Sequence, residues 1–191
     1  MDALKEPSRK GEKSLEFCIS HRESRRSFSN KKVSREKISQ LLWAGQGKIN
    51  GNRAAPSAGA TYPLYLYMVK NGKEFLKYDP EDHKLDLIKE KKNFDIYIAR
   101  DALSQMFISE APLIIIICAN YQHTTRRYGK RGRRYVLIEV GHAAQNILLQ
   151  AEALDLTSVP IGAFKDSNLK KTLELPDATQ PLYILPIGYP E

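Results

Sequence analysis

Cysteine is scarce in this chain of 191 residues, which contains only Cys18 and Cys118. Because the two are far apart in sequence, they form no C-x-x-C pattern, and the sequence predicts no metal site. A chain of this length buries roughly 70% of the surface that its unfolded form would expose, so its core needs no disulfide. We therefore expect both cysteines to be buried apolar side chains in a reduced, cytoplasmic protein.

Long apolar runs are also missing. The longest, from Ala111 to Ala119, contains Pro112 and falls well short of the roughly 20 residues that a membrane helix needs. Residues 1–13 form a polar tail with no apolar segment typical of a signal peptide. The sequence thus argues against membrane insertion and secretion. Its block Ile114 to Ile117 predicts a strand buried on both faces.

Acidic residues are absent between Ala111 and Ile138. Six cationic residues within this stretch supply most of the net charge of +8: Arg126, Arg127, Lys130, Arg131, Arg133 and Arg134. Gly129 and Gly132 interrupt the cluster and predict a basic loop instead of a helix. With tyrosines nearby, such a loop could bind nucleic acid or an anionic small ligand, or could simply face solvent. Nucleic acid is the less favoured interpretation, since no recognisable nucleic-acid module accompanies the cluster.

Helical signals recur along the chain. Ser14 and Ser34 are suitable N-cap residues, the first before Leu15, Cys18 and Ile19 at helical spacing and the second before a helix that Gly45 and Gly47 should end. Further helices are predicted at these ranges: 96–108, about 135–154, and 166–173. The helix at 135–154 is apolar over most of its circumference, so we expect it to be central and buried.

Strand signals lie between these helices. The run Tyr62 to Lys70 is followed directly by Asn71-Gly72, which strongly predicts a hairpin. Shorter strands follow at 75–78 and 84–88, and a last one is predicted at 182–187. Without repeats or linkers, the sequence predicts one domain over residues 14–191, of the α+β class with a mainly antiparallel sheet flanked by helices.

Several short motifs carry a family resemblance that extends from Ser14 to the end of the chain. They are Arg25-Arg26-Ser27, Leu41 to Gly47, Pro56 to Pro63, Gly141 to Asn146, Val159 to Phe164 and Pro181 to Pro190. In this order they resemble the nitroreductase-type flavoproteins, and among those the SagB-type dehydrogenases. The resemblance implies a nitroreductase-like fold, FMN as cofactor, and a homodimer with active sites shared between subunits.

The resemblance also implies where FMN binds. It assigns the phosphate to Arg25 and Ser27 with Arg26 nearby, and such residues can make charge-assisted hydrogen bonds to a phosphate. Taken alone, this tripeptide would more often be a solvated turn.

Two segments of small residues are implied to lie against the flavin ring. The first, often from the other subunit, comprises Pro56, Ser57, Ala58 and Gly59, with Tyr62 assigned more loosely. The second comprises Pro160, Ile161, Gly162 and Ala163, whose backbone N–H groups would face flavin N5 and O4. Each could otherwise be an ordinary connection. Gln145 and Asn146, on the long helix, are expected to be buried amides with backbone or cofactor partners.

The chain departs from the family at two points. It ends at Glu191 without the Lys/Arg pair that closes the phosphate site in many nitroreductases, so residues 126–134 are the candidate substitute. Where azoline oxidases of this branch use a Lys-Tyr pair, this chain has Arg127-Tyr128. Arginine is a poor base, which argues against azoline chemistry and leaves Tyr128 as the candidate proton donor.

We therefore expect an FMN-dependent oxidoreductase that moves hydride or electron pairs from NADH or NADPH to a small nitro or quinone acceptor. A dehydrogenase of peptide-derived azoline heterocycles is the first alternative. The second is a non-enzymatic protein that binds nucleic acid or stores flavin.

Overall fold

The centre of the fold is a seven-stranded sheet. The computed structural model describes residues 2–191. The strands are β1 (Asp2–Ala3), β2 (Lys48–Ile49), β3 (Asn52–Arg53), β4 (Leu64–Lys70), β5 (Glu74–Asp79), β6 (Lys84–Glu90), β7 (Leu113–Asn120), β8 (Thr157–Ser158) and β9 (Thr179–Gly188). The large sheet has the order β1-β6-β5-β4-β7-β9-β8 with antiparallel pairing throughout, and β2 and β3 form a separate hairpin.

Helices cover both faces of this sheet. They are α1 (Leu15–His21), α2 (Arg35–Gln46), α3 (Phe94–Asp101), α4 (Gln122–Tyr128), α5 (Gly132–Ala153) and α6 (Asp166–Leu173), with short 3-10 turns at 58–60, 106–110 and 129–131. One core cluster joins α2 and α5 to the sheet, and a second joins α3 and α6 to its other face. This arrangement confirms the predicted α+β class.

The central strand and the hairpin form as their residues predict. The apolar side chains of β7 are buried from Leu113 to Ala119. Asn71 and Gly72 both adopt positive φ, at 53° and 62°, and connect β4 to β5 in a tight turn. The free Cys18 and Cys118 are both buried, as expected.

Serine caps start the first two helices. The Ser14 hydroxyl accepts a hydrogen bond from the Phe17 N–H at 3.1 Å, and the Ser34 hydroxyl accepts one from Lys37 at 3.3 Å. Helix α2 ends at its cap Gly47 but passes through Gly45. A Cβ on Gly45 would lie 2.8 Å from Ile147 Cδ1, so this glycine allows α2 to pack closely on α5.

The predicted helix at 96–108 is wrong in its second half. Helix α3 ends at Asp101, after which Leu103 and Ser104 take positive φ values of 57° and 60°. A left-handed pair cannot continue an α-helix. Leu103 and Met106 are consequently exposed, although their spacing suggested a buried face.

The predicted basic loop is also wrong, because most of residues 126–134 are helical. Helix α4 ends at Tyr128 and is capped by Gly129, whose φ is 55°, and α5 begins at Gly132. A Cβ on Gly132 would lie 2.9 Å from the Thr125 Cα. The two glycines therefore permit a sharp turn between packed helices, and the residues on either side of the turn stay helical.

Helix α5 is buried along one face, so the expectation of a central, buried helix is met on that face and is wrong for the other. Val136, Val140, Ala143 and Ile147 face the core, whereas the side chains of Leu137 and Ile138 are 54% and 46% exposed. Leu15 and Ile19 on α1 are likewise exposed, and only Cys18 of that helix is buried. No helix within residues 2–191 has both the length and the apolar content needed to cross a membrane.

Candidate active site

The segment Arg25 to Ser27 lies beside the edge strand β8. Ser24 forms a parallel bridge with Ser158, and the Arg25 N–H donates to the Ser158 carbonyl at 3.3 Å. The side chains of Arg25, Arg26 and Ser27 are exposed. Arg25 Nε pairs with Glu23 Oε1 at 2.6 Å, and the Arg26 guanidinium lies 5.9 Å from the centre of the Phe107 ring. This places two guanidinium groups and a hydroxyl in solvent, where a phosphate could reach them.

The second small-residue segment continues from the same strand. Ile161 is buried and exchanges two backbone hydrogen bonds with Ile184, at 2.9 and 3.0 Å. The next residues, Gly162 and Ala163, are exposed, and within residues 2–191 their backbone N–H groups have no hydrogen-bond acceptor. A Cβ on Gly162 would meet only the Tyr183 ring, at 3.7 Å. Ile161 thus anchors the segment, and two free donors follow it.

Residues 56–62, called the 56–62 loop below, lie against α4. Arg127 Nη1 donates to the Gly59 carbonyl at 3.1 Å, and the hydroxyls of Thr61 and Thr124 are 2.8 Å apart. The backbone is unusual, since Gly59, Ala60 and Tyr62 all have positive φ, between 44° and 61°. Such conformations are costly for non-glycine residues and persist only where the surroundings hold them.

Tyr128, the candidate proton donor, borders this loop. Its hydroxyl oxygen would be 2.5 Å from a Cβ on Gly59. Its half-buried ring packs edge-on against Tyr135, with centroids 5.2 Å apart. Tyr128 is therefore grouped with the 56–62 loop and not with Arg25 to Ser27.

The predicted ligand residues fall into two groups in one chain. Arg25 to Ser27 join residues 160–163 through β8, whereas the 56–62 loop joins α4 and the start of α5. In the described part of the chain, no hydrogen bond, ion pair or ring contact connects the groups. Within one chain, the two groups therefore have no direct contact among residues 2–191.

Glu139 is a residue of this region that the sequence interpretation missed. It lies on α5 with only 2% of its surface exposed, and its Oε1 atom has no hydrogen-bond partner among the described residues. Burial raises the pKa of this carboxyl to about 7, and a hydrogen bond from the Ser57 side chain acts in the opposite direction. An acidic residue between Ile138 and Val140, on the apolar stripe of a helix, was the available signal.

The two amides of α5 have different surroundings. Asn146 Nδ2 donates to the carbonyls of Ala44 and Ala54, at 3.1 and 3.4 Å, so it fastens α2 and the following segment to α5. Gln145 is exposed, and the expectation of a buried amide there is wrong. Among residues 2–191, no three His, Cys, Asp or Glu side chains are grouped as metal ligands.

Comparison with known proteins agrees with this architecture. Residues 19–189 match the sequence profile of the Nitroreductase family. MJ1384 of Methanocaldococcus jannaschii, provisionally designated a nitroreductase, is 40% identical over 184 residues, spanning 91% of this chain and 90% of its own. An NAD(P)H-linked FMN reductase of Bacillus subtilis is 28% identical over 190 residues, spanning 92% of this chain and 65% of its own.

A solved structure shows the same fold. The protein, from Ralstonia eutropha JMP134, is also provisionally designated a nitroreductase and superposes with a TM-score of 0.86 at 24% identity. The superposition covers 100% of this chain and 89% of the other. It confirms the predicted nitroreductase-like fold.

Proposed function

The chain belongs to the Nitroreductase family, and from this premise we propose that it is an FMN-dependent oxidoreductase that passes hydride or electron pairs from NADH or NADPH to a small organic acceptor of the nitro or quinone type. The observation that carries the proposal is the pair of free backbone donors at Gly162 and Ala163, together with the exposed cations of Arg25 and Arg26 on the segment that pairs with β8. A similar protein is an NAD(P)H-linked FMN reductase.

The residues present fit both the phosphate end and the ring end of FMN. Arg25 and Arg26 have exposed guanidinium groups of the type that binds a phosphate bidentately, and Ser27 adds one hydroxyl donor. Gly162 and Ala163 offer N–H groups to the ring, and a Cβ on Gly162 would make only an ordinary contact with the Tyr183 ring, at 3.7 Å. FMN, when bound, supplies the redox chemistry, while the protein binds and orients it and places hydrogen-bond donors where charge develops.

The 56–62 loop would complete the site from a second copy of the chain. Because its residues make no direct contact with Arg25 to Ser27 among the described residues of one chain, we infer that a symmetric dimer would bring a loop from one chain to the phosphate residues of the other. The exposed apolar side chains of Leu137 and Ile138 on α5 suit such an interface. A Cβ on the neighbouring Gly141 would meet nothing within 4 Å, which leaves space for close helix contact.

Azoline chemistry is the less supported alternative. Its base would have to come from Arg127-Tyr128, but Arg127 is a permanent cation that donates to the Gly59 carbonyl. That contact makes Arg127 a support for the loop, so the nicotinamide-linked reaction is preferred.

The test is cofactor uptake followed by reduction. The purified protein, incubated with FMN and desalted, should retain flavin absorbance. Anaerobic mixing with NADH or NADPH should then bleach it, and an added quinone should restore the colour. A protein that takes up no FMN would overturn the proposal, and one that binds FMN without bleaching by either nucleotide would overturn the nicotinamide step.

A further inference from the structure

Gln105 connects the turn after α3 to the second small-residue segment. Its Nε2 atom donates to the Ala102 carbonyl at 2.9 Å and to the Ala163 carbonyl at 3.2 Å, the latter 58 positions away in the chain. An amide nitrogen carries two hydrogens, so both bonds can form at once. In the part of the chain that the structure describes, the Ala163 carbonyl accepts no other hydrogen bond.

An unusual backbone brings Gln105 to this position. Leu103 and Ser104 both adopt positive φ, at 57° and 60°, and such conformations persist outside glycine only where the surroundings hold them. The Ser104 N–H donates to the Arg100 carbonyl, and the Gln105 N–H donates to the Ala102 carbonyl, both at 3.2 Å. These bonds hold the turn, and with it the Gln105 side chain, against the end of α3.

The second small-residue segment is held on both sides of its two free donors. Before them, Ile161 pairs with β9. After them, the Lys165 N–H donates to the Asp101 carbonyl at 2.9 Å, and Gln105 binds the Ala163 carbonyl. Because a peptide group is planar, binding this carbonyl restricts rotation of the backbone that carries the free N–H groups.

We propose that Gln105 is a positioning residue for the flavin ring, because its bond to the Ala163 carbonyl holds the backbone that presents the N–H groups of Gly162 and Ala163. The proposal rests on the function proposed above. Donors stabilise a developing charge best when they are oriented before the reaction, and residues behind a site keep them so. The nearby Phe107 ring lies 5.9 Å from the Arg26 guanidinium, so the same turn also contacts a phosphate residue.

Gln105→Met and Gln105→Glu test this role, with Gln122→Met as the control because Gln122 is exposed on α4. Methionine has a similar length but no donor, and an ionised glutamate only accepts hydrogen bonds. Fluorescence titration gives the dissociation constants of FMN and of riboflavin, which lacks the phosphate. Both constants should rise about fivefold in the two Gln105 variants, the factor for one lost hydrogen bond, and should stay native in the control.

Comparison with Arg25→Ala locates the effect at the ring. Arg25→Ala should weaken the binding of FMN but not of riboflavin, whereas Gln105→Met should weaken both by the same factor. The midpoint potential of bound FMN should become more negative in Gln105→Met, since donors that are no longer oriented stabilise the reduced ring less. A loss of packing alone would not move this potential. Either a native riboflavin affinity or a native potential in both Gln105 variants would overturn the proposal.

A further measurement needs no flavin. Hydrogen exchange in the ligand-free protein gives the protection factors of the Lys165 and Ile161 amides. The factor for Lys165 should fall about fivefold in Gln105→Met, because releasing the Ala163 carbonyl lets the segment open more often, whereas Ile161, held by β9, should not change. If neither flavin binds the native chain while this fall is seen, the proposed function fails and the positioning of the segment stands. Native protection of Lys165 in Gln105→Met overturns the positioning role.

Discussion

At Gly59 two constraints coincide. Its φ is 61°, and a Cβ there would lie 2.5 Å from the Tyr128 hydroxyl and 2.8 Å from Arg127 Nη1. Either constraint alone favours glycine. Together they indicate that close contact between the 56–62 loop and α4 depends on the absence of a side chain at Gly59.

Gly59→Ala should therefore lower the free energy of unfolding by more than the strain of an alanine at positive φ alone would. The matched control is Gly51→Ala, because Gly51 has φ of 83° but nothing within 4 Å of a Cβ. We expect about 1 kcal/mol of lost unfolding free energy for the control, and a larger loss with weakened FMN binding for Gly59→Ala. Urea unfolding and fluorescence titration measure both, and equal losses would contradict the steric role.

Arg25 allows binding and stability to be separated. Its ion pair with Glu23 is exposed, and such pairs contribute little to stability. Arg25→Ala should leave the unfolding free energy nearly unchanged but weaken FMN binding by about 1 to 3 kcal/mol, the range for a lost hydrogen bond to a charged group. Lys92→Ala is the control with the same charge change, and unchanged FMN affinity in Arg25→Ala would remove this residue from the site.

At the scale of elements, the junction of α4 and α5 concentrates the positive charge. The Arg133 and Arg131 guanidinium groups lie over the rings of Tyr121 and Tyr135, at 4.6 and 5.9 Å from their centres. Lys130 and Arg131 are exposed and follow closely after Arg127, the residue that donates to the Gly59 carbonyl of the 56–62 loop. This surface is suited to attracting an anionic substrate.

Neutralising Lys130 and Arg131 to Gln should raise the KM for NADPH more than that for NADH, because NADPH carries the additional phosphate. The difference should shrink at high salt, which screens exposed charges beyond roughly 8 to 10 Å. Arg127 is left intact because it holds Gly59. The control changes Lys91 and Lys92 to Gln, and equal KM values for native and Lys130/Arg131 variants would show that this surface only faces solvent.

At the scale of the whole molecule, the two separate groups of predicted ligand residues and the exposed apolar side of α5 both bear on the proposed dimer. The chain has a mass of 21.7 kDa. If the site is shared, assembly and cofactor binding must be linked, since anything that binds only the assembled form stabilises it.

Ile138→Glu tests this linkage by placing a charge on the exposed apolar side of α5. We expect the native protein to sediment at about twice the subunit mass, and the variant to sediment as a monomer that has lost FMN. Leu87→Glu is the control, because Leu87 is 54% exposed on β6, away from α5. A monomeric Ile138→Glu that retains FMN tightly would contradict the shared site.

Local patterns predicted most elements of the fold. Ser14 and Ser34 began helices, Asn71-Gly72 formed the hairpin, and the isoleucines of β7 were buried. The failures in backbone structure occurred at Leu103 and at Gly129 to Gly132, where spacing or glycine content misled. In both places the backbone follows packing between elements, which a short window of sequence does not encode.

The sequence by itself determined most of the element types and the family, and it predicted which residues could bind phosphate and flavin, because these depend on residue chemistry and local order. Only the tertiary structure decided which of those residues lie together. It joined Arg25 to Ser158 and Gly59 to Arg127, and it left the two groups apart. It also brought Glu139 under Ser57, 82 positions away in the chain, where burial changes the pKa of a carboxyl. Long-range contacts create such environments, because desolvation depends on what surrounds a group in space and not on its neighbours in sequence.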